Sequence, residues 1–162
     1  MALVDYFLKV DGIKGEAQAE GHKEDIQIES FSWGETNSGT AAHGGGAGAG
    51  KVAMQDLHFV KKIDKSSAIL MASCAEGKHL KFVELSCRKA GGKQEEYLHI
   101  KFETVLVSSY QIGGSAGSDI VPMEQVSLNF AKIKFTYKEQ KAEGGLGGAI
   151  EAGFDLLKGV KF

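Results

Sequence analysis

The sequence of 162 residues predicts a mainly β fold, a small closed or partly closed antiparallel β-barrel with one short flanking α-helix. Three observations predict it. Apolar and polar residues alternate along several long stretches, 22 glycines punctuate those stretches, and one segment alone combines helical spacing with capping residues. Because a single domain commonly spans about 100 to 200 residues, we predict one domain over residues 1–162.

The predicted strands share a shift in their alternation. Apolar residues follow one parity up to Phe102 or Phe130 and the other parity from Val105 or Ile133. Because one extra residue turns every later side chain to the opposite face, the shift indicates bulged or coiled strands, as at a barrel corner. Alternatively, one half of each strand packs in the core while the other half presents apolar residues to a partner subunit. The two interpretations are compatible.

The predicted helix spans residues 64–75. Asp64 is placed to cap the first free amides, Ile69, Ala72 and Cys74 lie roughly on one face, and Gly77 supplies a left-handed stop. The C-terminal segment is ambiguous. Residues 139–148 are charged and glycine-rich and predict a loose excursion, whereas residues 150–162 fit helical and strand spacing about equally.

Glycine clusters predict two kinds of connection. Gly91-Gly92 lies between two strand patterns, as expected for a hairpin turn. The long glycine-rich loop at residues 36–50 cannot bury itself, and loops of that length are usually functional or disordered. We expect it to be an exposed extension that becomes ordered against a neighbouring subunit or ring.

Composition and charge exclude several function classes. The net charge of −2 argues against a nucleic-acid binder that neutralises phosphates. Cys74 and Cys87 are too few for a disulfide framework or a four-ligand zinc site. The N-terminus lacks the basic region of a secretory signal, and no apolar stretch approaches the length of a membrane span. We therefore expect a product made in the cytoplasm with reduced thiols.

Apparent catalytic motifs lack their structural context. The run that ends Gly50-Lys51 copies the spacing of a phosphate-binding loop, but Val52 and a strand pattern follow where a Ser or Thr and a helix are needed. Ser115 lies in a Gly-x-Ser-x-Gly pattern that also continues into a strand pattern. The histidines show no metal-binding spacing. The sequence therefore predicts no catalytic residue, cofactor or metal, and a hydrolase using Ser115 or a monomeric ligand-binding barrel stand as alternatives.

A set of short motifs, in order along nearly the whole chain, resembles the haemolysin-coregulated protein (Hcp) family of bacterial type VI secretion. Ala68 and Phe154 depart from residues that are frequent in the family. The motifs that carry the resemblance are Lys14-Gly15-Glu16, Ser30-Phe31-Ser32-Trp33-Gly34, Gln55-Asp56-Leu57, Gly77-Lys78-His79, Arg88-Lys89-Ala90-Gly91, Glu96-Tyr97-Leu98 and Val126-Ser127-Leu128-Asn129-Phe130.

The resemblance implies a non-enzymatic barrel that assembles head to tail into a homo-hexameric ring. Such rings stack into a tube that is expelled, without a signal peptide, to the extracellular medium or a target cell. The implied partners are further copies of the chain, a VgrG-type spike protein, a contractile sheath and effector proteins, with cargo held in the ring lumen. The resemblance of the segment from Gly153 to Leu156 also favours a final strand that completes the barrel, with Phe154 and Leu156 anchored on the main sheet.

Two sets of residues are the candidate sites. Ser30 and Ser32 alternate with aromatic residues and are candidates for the lumen wall. The candidates for the contact between subunits or rings are Gly44, Gly45, Gly46, Gly48, Gly50, Leu57, Phe59, Ile133 and Phe135.

Overall fold

The computed structural model describes residues 4–39, 50–89 and 94–162. Of these residues, 59% lie in strands and 7% in helix, which confirms the predicted mainly β fold with one short helix. The elements are β1 Val4–Val10, β2 Ile26–Ile28, β3 Ser30–Ser32, β4 Glu35–Asn37, β5 Val52–Met54, β6 Leu57–Lys62, α1 Ser67–Glu76, β7 His79–Lys89, β8 Glu96–Gly113, β9 Met123–Gln140, β10 Leu146–Asp155 and β11 Val160–Lys161.

The main sheet curls until its two ends meet on one stretch of chain. Antiparallel pairing leads from β2 through β1, β7, β8, β9 and β6 to β3, and β2 and β3 are separated by Glu29 alone. The amide of Glu29 donates to the carbonyl of Val60 at 2.7 Å. The ladder is interrupted at this point, so the fold is a partly closed barrel. β10 and β11 extend the sheet beyond it, and β4 pairs with β5 alone.

The predicted shift in alternation is present in both long strands. Phe102 and Val105 of β8 are both buried, as are Phe130 and Ile133 of β9. Between the first two, Thr104 has a φ of 55°, a left-handed conformation that β-branched residues rarely adopt. A register irregularity follows between Val107 and Ser109. The strands therefore turn so that both of their halves direct apolar residues into the barrel.

Because the strands turn in this way, part of the predicted subunit contact is buried inside the barrel. Leu57 and Phe59 are completely buried in the core of the subunit, and Ile133 is also buried. Leu57 and Phe59 have no surface to offer to a neighbour, so their assignment to an interface is wrong. Ile133 lines a cleft, so its part in a contact stays a prediction. Phe135 is exposed, and its role in a contact stays a prediction.

Helix α1 is anchored by polar side chains. It begins three residues later than predicted, after Ser66, whose amide donates to the Asp64 carboxylate at 2.8 Å, and Gly77 ends it with a φ of 63° as predicted. The buried face consists of Ser67, Leu70 and Ser73. The predicted face is wrong at Ile69, which is 44% exposed, whereas Cys74 packs against the core.

A buried ion pair explains why serines face the barrel. Lys61 of β6 and Glu124 of β9 are cross-strand partners, both completely buried, and their charged atoms lie 2.7 Å apart. The Ser67 and Tyr110 hydroxyls donate to the same carboxylate, while Lys61 also donates to Asp64 at 2.9 Å. Burial, together with the hydrogen bond to Glu124, raises the pKa of Tyr110 to about 12. The network joins α1 to β6, β8 and β9.

The C-terminal segment forms a hairpin. β9 continues to Gln140 and β10 begins at Leu146, so the predicted loose excursion over residues 139–148 is wrong. Gly144 and Gly145 have φ values of 92° and 83°, which suit the tight turn between these strands. Phe154 and Leu156 pack against the core as predicted. However, β10 extends the sheet outward from β9 and does not complete the barrel ring.

Candidate functional site

An apolar sheet face lies uncovered where β9 and β10 leave the barrel. Phe135 and Tyr137 are each 40% exposed, and Ile150 is 69% exposed. Tyr137 lies opposite Ile150 on one side and Leu98 on the other, while Phe135 lies opposite Ala152. Because cross-strand partners point to the same side of a sheet, these five residues form one continuous surface. We call it the open face.

The open face continues the barrel core. Along β9, Ile133 lies two residues before Phe135 on the same side of the strand and is buried. β6 pairs with β9 only as far as Leu128, and β10 takes over as the neighbour of β9 from Lys132. The strands therefore continue to place apolar side chains on their core side beyond the part that the barrel encloses.

A cleft of about 460 Å³ borders the open face, between the β4–β5 hairpin and the β9–β10 extension. Its polar edge consists of residues 35–37 of β4. The indole N–H of Trp33 is buried and has no hydrogen-bond partner among the described residues. An occupant of this cleft would need apolar side chains. The apolar lining consists of Trp33, Val52, Met54, Ile133, Ala152 and Phe154.

The predicted long loop begins and ends on the β4–β5 hairpin. Within residues 36–50, Thr36 and Asn37 belong to β4, and the Asn37 side-chain amide donates to the carbonyl of Gly50 at 3.1 Å. An added Cβ at Gly50 would lie 1.9 Å from the amide nitrogen of Gly39, so this close approach requires glycine. The candidate contact residues Gly44, Gly45, Gly46 and Gly48 lie outside the described residues.

A second face of the barrel is polar and almost uncharged. Ser32, His58, Ser127 and Ser109 are consecutive cross-strand partners over β3, β6, β9 and β8, and the Ser127 hydroxyl is hydrogen-bonded to His58 Nδ1. The next row consists of Ser30, Val60, Gln125 and Gln111. We call these two rows the polar wall.

The polar wall contains the two predicted lumen candidates, and both are exposed. Their neighbours His58, Gln111, Gln125 and Ser127 were missed at the sequence level. Alternation within each predicted strand places these residues on its outward face. Their position beside Ser30 and Ser32 depends on the pairing of strands distant in sequence, which the sequence pattern does not give.

The outward face of β7 to β10 is charged, in contrast to the polar wall. Lys134 lies 3.0 Å from Glu151, and Glu103 lies 3.5 Å from Lys132 and 3.8 Å from Lys101. These pairs are exposed, so each contributes about 0 to 1 kcal/mol. Charges of both signs alternate across this face, which we call the ion-paired face.

Ser115 and Lys51 lack the surroundings that their motifs require. Ser115 lies in the connection between antiparallel strands β8 and β9, where Gly113 pairs with Met123, and no helix follows it. A nucleophile elbow requires a strand-to-helix turn, so the Gly-x-Ser-x-Gly pattern does not support a hydrolase that uses Ser115. Lys51 likewise precedes strand β5 and not a helix.

The described part of the chain also lacks the features of a metal site and of a reactive thiol. Residues 4–39, 50–89 and 94–162 contain no cluster of three or more His, Cys, Asp or Glu side chains that could hold a metal ion. Burial raises the pKa of the Cys87 thiol to about 12, which makes it a packing residue and not a nucleophile. In the same residues, no helix has the length and apolar character of a membrane-spanning segment.

Comparison with known proteins gives a consistent set of matches. Residues 7–137 match the family described as "Type VI secretion system effector, Hcp". The chain is 46% identical to protein hcp1 of Pseudomonas aeruginosa over 160 residues, which covers 98% of each chain.

Solved structures agree in fold. A structure described as that of a type six secretion system protein superposes with a TM-score of 0.92 at 30% identity, covering 98% of this chain and 99% of the other. Hcp1 from Salmonella typhimurium superposes with a TM-score of 0.81 at 32% identity, covering 99% and 100%.

Proposed function

The chain belongs to the Hcp family of type VI secretion proteins, and we propose that it is the subunit of the inner tube, assembling head to tail into hexameric rings that stack. The open face is the observation that carries this proposal. A soluble monomer gains nothing from exposing Phe135, Tyr137 and Ile150 in one continuous patch, whereas burial of apolar area contributes about 25 cal/mol per Å².

Head-to-tail association needs two different patches on each subunit. We propose that the open face and the adjoining cleft form one of them. The neighbouring subunit would supply apolar side chains to the cleft. The glycine-rich loop at residues 36–50 remains a candidate for contact with a neighbouring subunit or ring.

We assign the polar wall to the lumen. Sixfold repetition of a charged residue would create a strong field inside a ring, whereas Ser30, Ser32 and Gln125 present hydrogen-bonding groups without charge. On this proposal Ser32 contacts cargo, and effector proteins, the spike protein and the sheath are the partners. On this proposal the chain is a structural protein that is secreted with the tube.

Native mass spectrometry tests the assembly. We expect the wild-type chain to give a sixfold mass and the double substitution Phe135→Glu with Tyr137→Glu to give monomers, because two carboxylates would be buried at the contact. Thr136→Glu is the matched control, since it adds a carboxylate to the same strand on the opposite face. A sixfold mass that survives the double substitution would remove the open face from the contact.

The lumen assignment has its own test. Ser32→Gln adds bulk to the polar wall and should leave the ring mass unchanged while it weakens cargo retention. Rings that carry this substitution and retain every tested effector would contradict a role for Ser32 in cargo contact.

The alternative of a monomeric ligand-binding barrel predicts a mass of 17.3 kDa for the wild-type chain. Its expected site is the barrel interior, but the side chains of Leu8, Phe59, Phe102 and Leu128 are buried there in one packed core. The cleft beside Trp33 lies outside that core. We therefore favour the tube subunit.

A further inference from the structure

Residues 14–25 fold into a flap on the outer side of the barrel. The amides of Gly15 and Ala17 donate to the carbonyls of Glu24 and Asp25 at 2.8 and 3.1 Å, so the two arms of the flap hold each other. An added Cβ at Gly15 would lie 2.5 Å from the carbonyl oxygen of Asp25, which shows how closely the arms pack. These bonds are internal and do not attach the flap to the sheet.

Among the described residues, His22 is one of two side chains that link the flap to the sheet through polar bonds, the other being Arg88 of β7. Its Nδ1 lies 2.9 Å from a carboxylate oxygen of Asp25, within the flap, and its Nε2 is hydrogen-bonded to the carboxylate of Glu96, the first residue of β8. The imidazole is 7% exposed and stacks on the buried ring of Phe7, with centroids 4.4 Å apart and planes within 5° of each other. One buried histidine thus connects three elements.

Both bonds require a doubly protonated ring. A carboxylate accepts hydrogen bonds and does not donate them, so each imidazole nitrogen needs its own proton to satisfy Asp25 and Glu96 together. Neutral imidazole has a single N–H and would turn a lone pair toward the second carboxylate. Both hydrogen bonds can therefore form together only when the ring is an imidazolium ion.

The surrounding charges agree with that assignment. Arg88 of β7 lies over the Phe7 ring at 4.9 Å from its centroid and donates to the carbonyl of Glu20 at 3.0 Å, while β1 places Asp5 opposite Arg88. Lys23 and Glu24 are the neighbouring charged residues of the flap, and Lys14 holds the pKa of Glu24 below its usual value. With His22 charged, the imidazolium lies between the two carboxylates that it bonds. Loss of its proton leaves Asp25 and Glu96 without that positive charge between them.

From this geometry we propose that His22 is a pH-operated clasp that fastens the flap to β8. The imidazolium form holds Asp25 and Glu96 together. As pH rises through the range in which histidine loses its proton, the bond to one carboxylate is lost, and Glu96, the more exposed of the two, is released. The flap then opens more often from Phe7 while its internal hydrogen bonds persist.

Hydrogen exchange of the intact protein tests the clasp. Between about pH 5 and about pH 8, we expect protection of the amides in residues 15–25, corrected for intrinsic exchange chemistry, to fall about tenfold or more. The core amides of β9 provide the internal reference. Corrected protection that stays constant over this range would overturn the proposal.

Glu96→Gln separates a clasp from a merely structural histidine. A glutamine amide can donate to Nε2 while neutral His22 donates from Nδ1 to Asp25, so the neutral ring would be fully satisfied. We expect this variant to lose the fall in protection with pH, whereas a structural role for His22 predicts an unchanged pH profile. Glu96 is partly exposed, so the variant should fold.

Two further variants complete the test. His22→Gln should give flap protection that does not change with pH, because glutamine does not titrate in this range. His99→Gln is the control, since His99 is a more exposed histidine that lies 3.8 Å from Glu84 and outside the flap. If His99→Gln removed the pH dependence while Glu96→Gln preserved it, the titrating group would not be His22.

Discussion

The two halves of strand β9 have the same alternation of apolar and polar residues but opposite surroundings. In the first half, Val126 and Leu128 face the barrel interior and are buried, with β6 on one side and β8 on the other. In the second half, Phe135 and Tyr137 repeat the spacing and are 40% exposed, since β6 has been replaced by β10. A strand pattern therefore specifies which residues share a face, and the neighbouring elements decide whether that face is covered.

The same contrast applies to the polar sides of the two halves. Gln125, Ser127 and Asn129 are uncharged, whereas Lys132 and Lys134 form ion pairs. One continuous strand therefore contributes to the polar wall along its first half and to the ion-paired face along its second. In the tube that we propose, this division would separate a surface toward the lumen from a surface that is better solvated.

The largest expected effect concerns the buried charge of the first half. Glu124→Gln leaves Lys61 without its closest counterion in a completely buried site, and we expect the free energy of unfolding to fall by about 3 to 5 kcal/mol. Chemical denaturation measures this loss. Glu103→Gln is the matched control in an exposed pair of β8, where we expect a change of about 0 to 1 kcal/mol. Equal effects of the two substitutions would mean that burial does not distinguish the two pairs.

A second pair of substitutions compares apolar residues on the two halves of β9. Leu128→Ala should lower the free energy of unfolding by about 3 kcal/mol through lost packing, and folded subunits should still assemble. Tyr137→Ala should cost a dissociated subunit less than Leu128→Ala but should weaken assembly, because its side chain is only partly covered within the subunit. Denaturation at low protein concentration and native mass spectrometry separate the two effects. If Tyr137→Ala destabilised the isolated subunit as strongly as Leu128→Ala, the open face would belong to the core.

Much of the fold could be predicted from local patterns. Alternation located the long strands, the shift in parity located the turn at Thr104, and Gly77 located the end of α1. The coverage of each face could not be predicted, since Ile133 and Tyr137 both follow the shift in parity of β9, yet one is buried and the other is exposed. That difference depends on pairing between strands distant in sequence.

Polar groups in buried positions were the other source of error. Ser67 and Ser73 face the barrel from α1, and Ser67 does so because its hydroxyl reaches Glu124, so hydrophobic spacing alone selected the wrong helix face. The candidate lumen residues Ser30 and Ser32 were found by alternation within one strand. Their partners on the polar wall, and the contact of His22 with Glu96, join residues far apart in sequence and have no local signal.

The smallest expected effect at neutral pH comes from Tyr110, which lies opposite Val126 of the enclosed half and donates to Glu124. Its pKa is raised from 10.0 to about 12, so the unfolded chain loses this proton first as the solution becomes alkaline. The contribution of Tyr110 to stability should therefore be fully present below about pH 10 and should disappear as pH rises toward about pH 12. Denaturation of wild type and Tyr110→Phe over this range measures the difference. The phenylalanine variant lacks the titrating group, so its stability should fall less steeply with pH, and parallel curves for the two proteins would show that Tyr110 keeps an ordinary pKa in the fold.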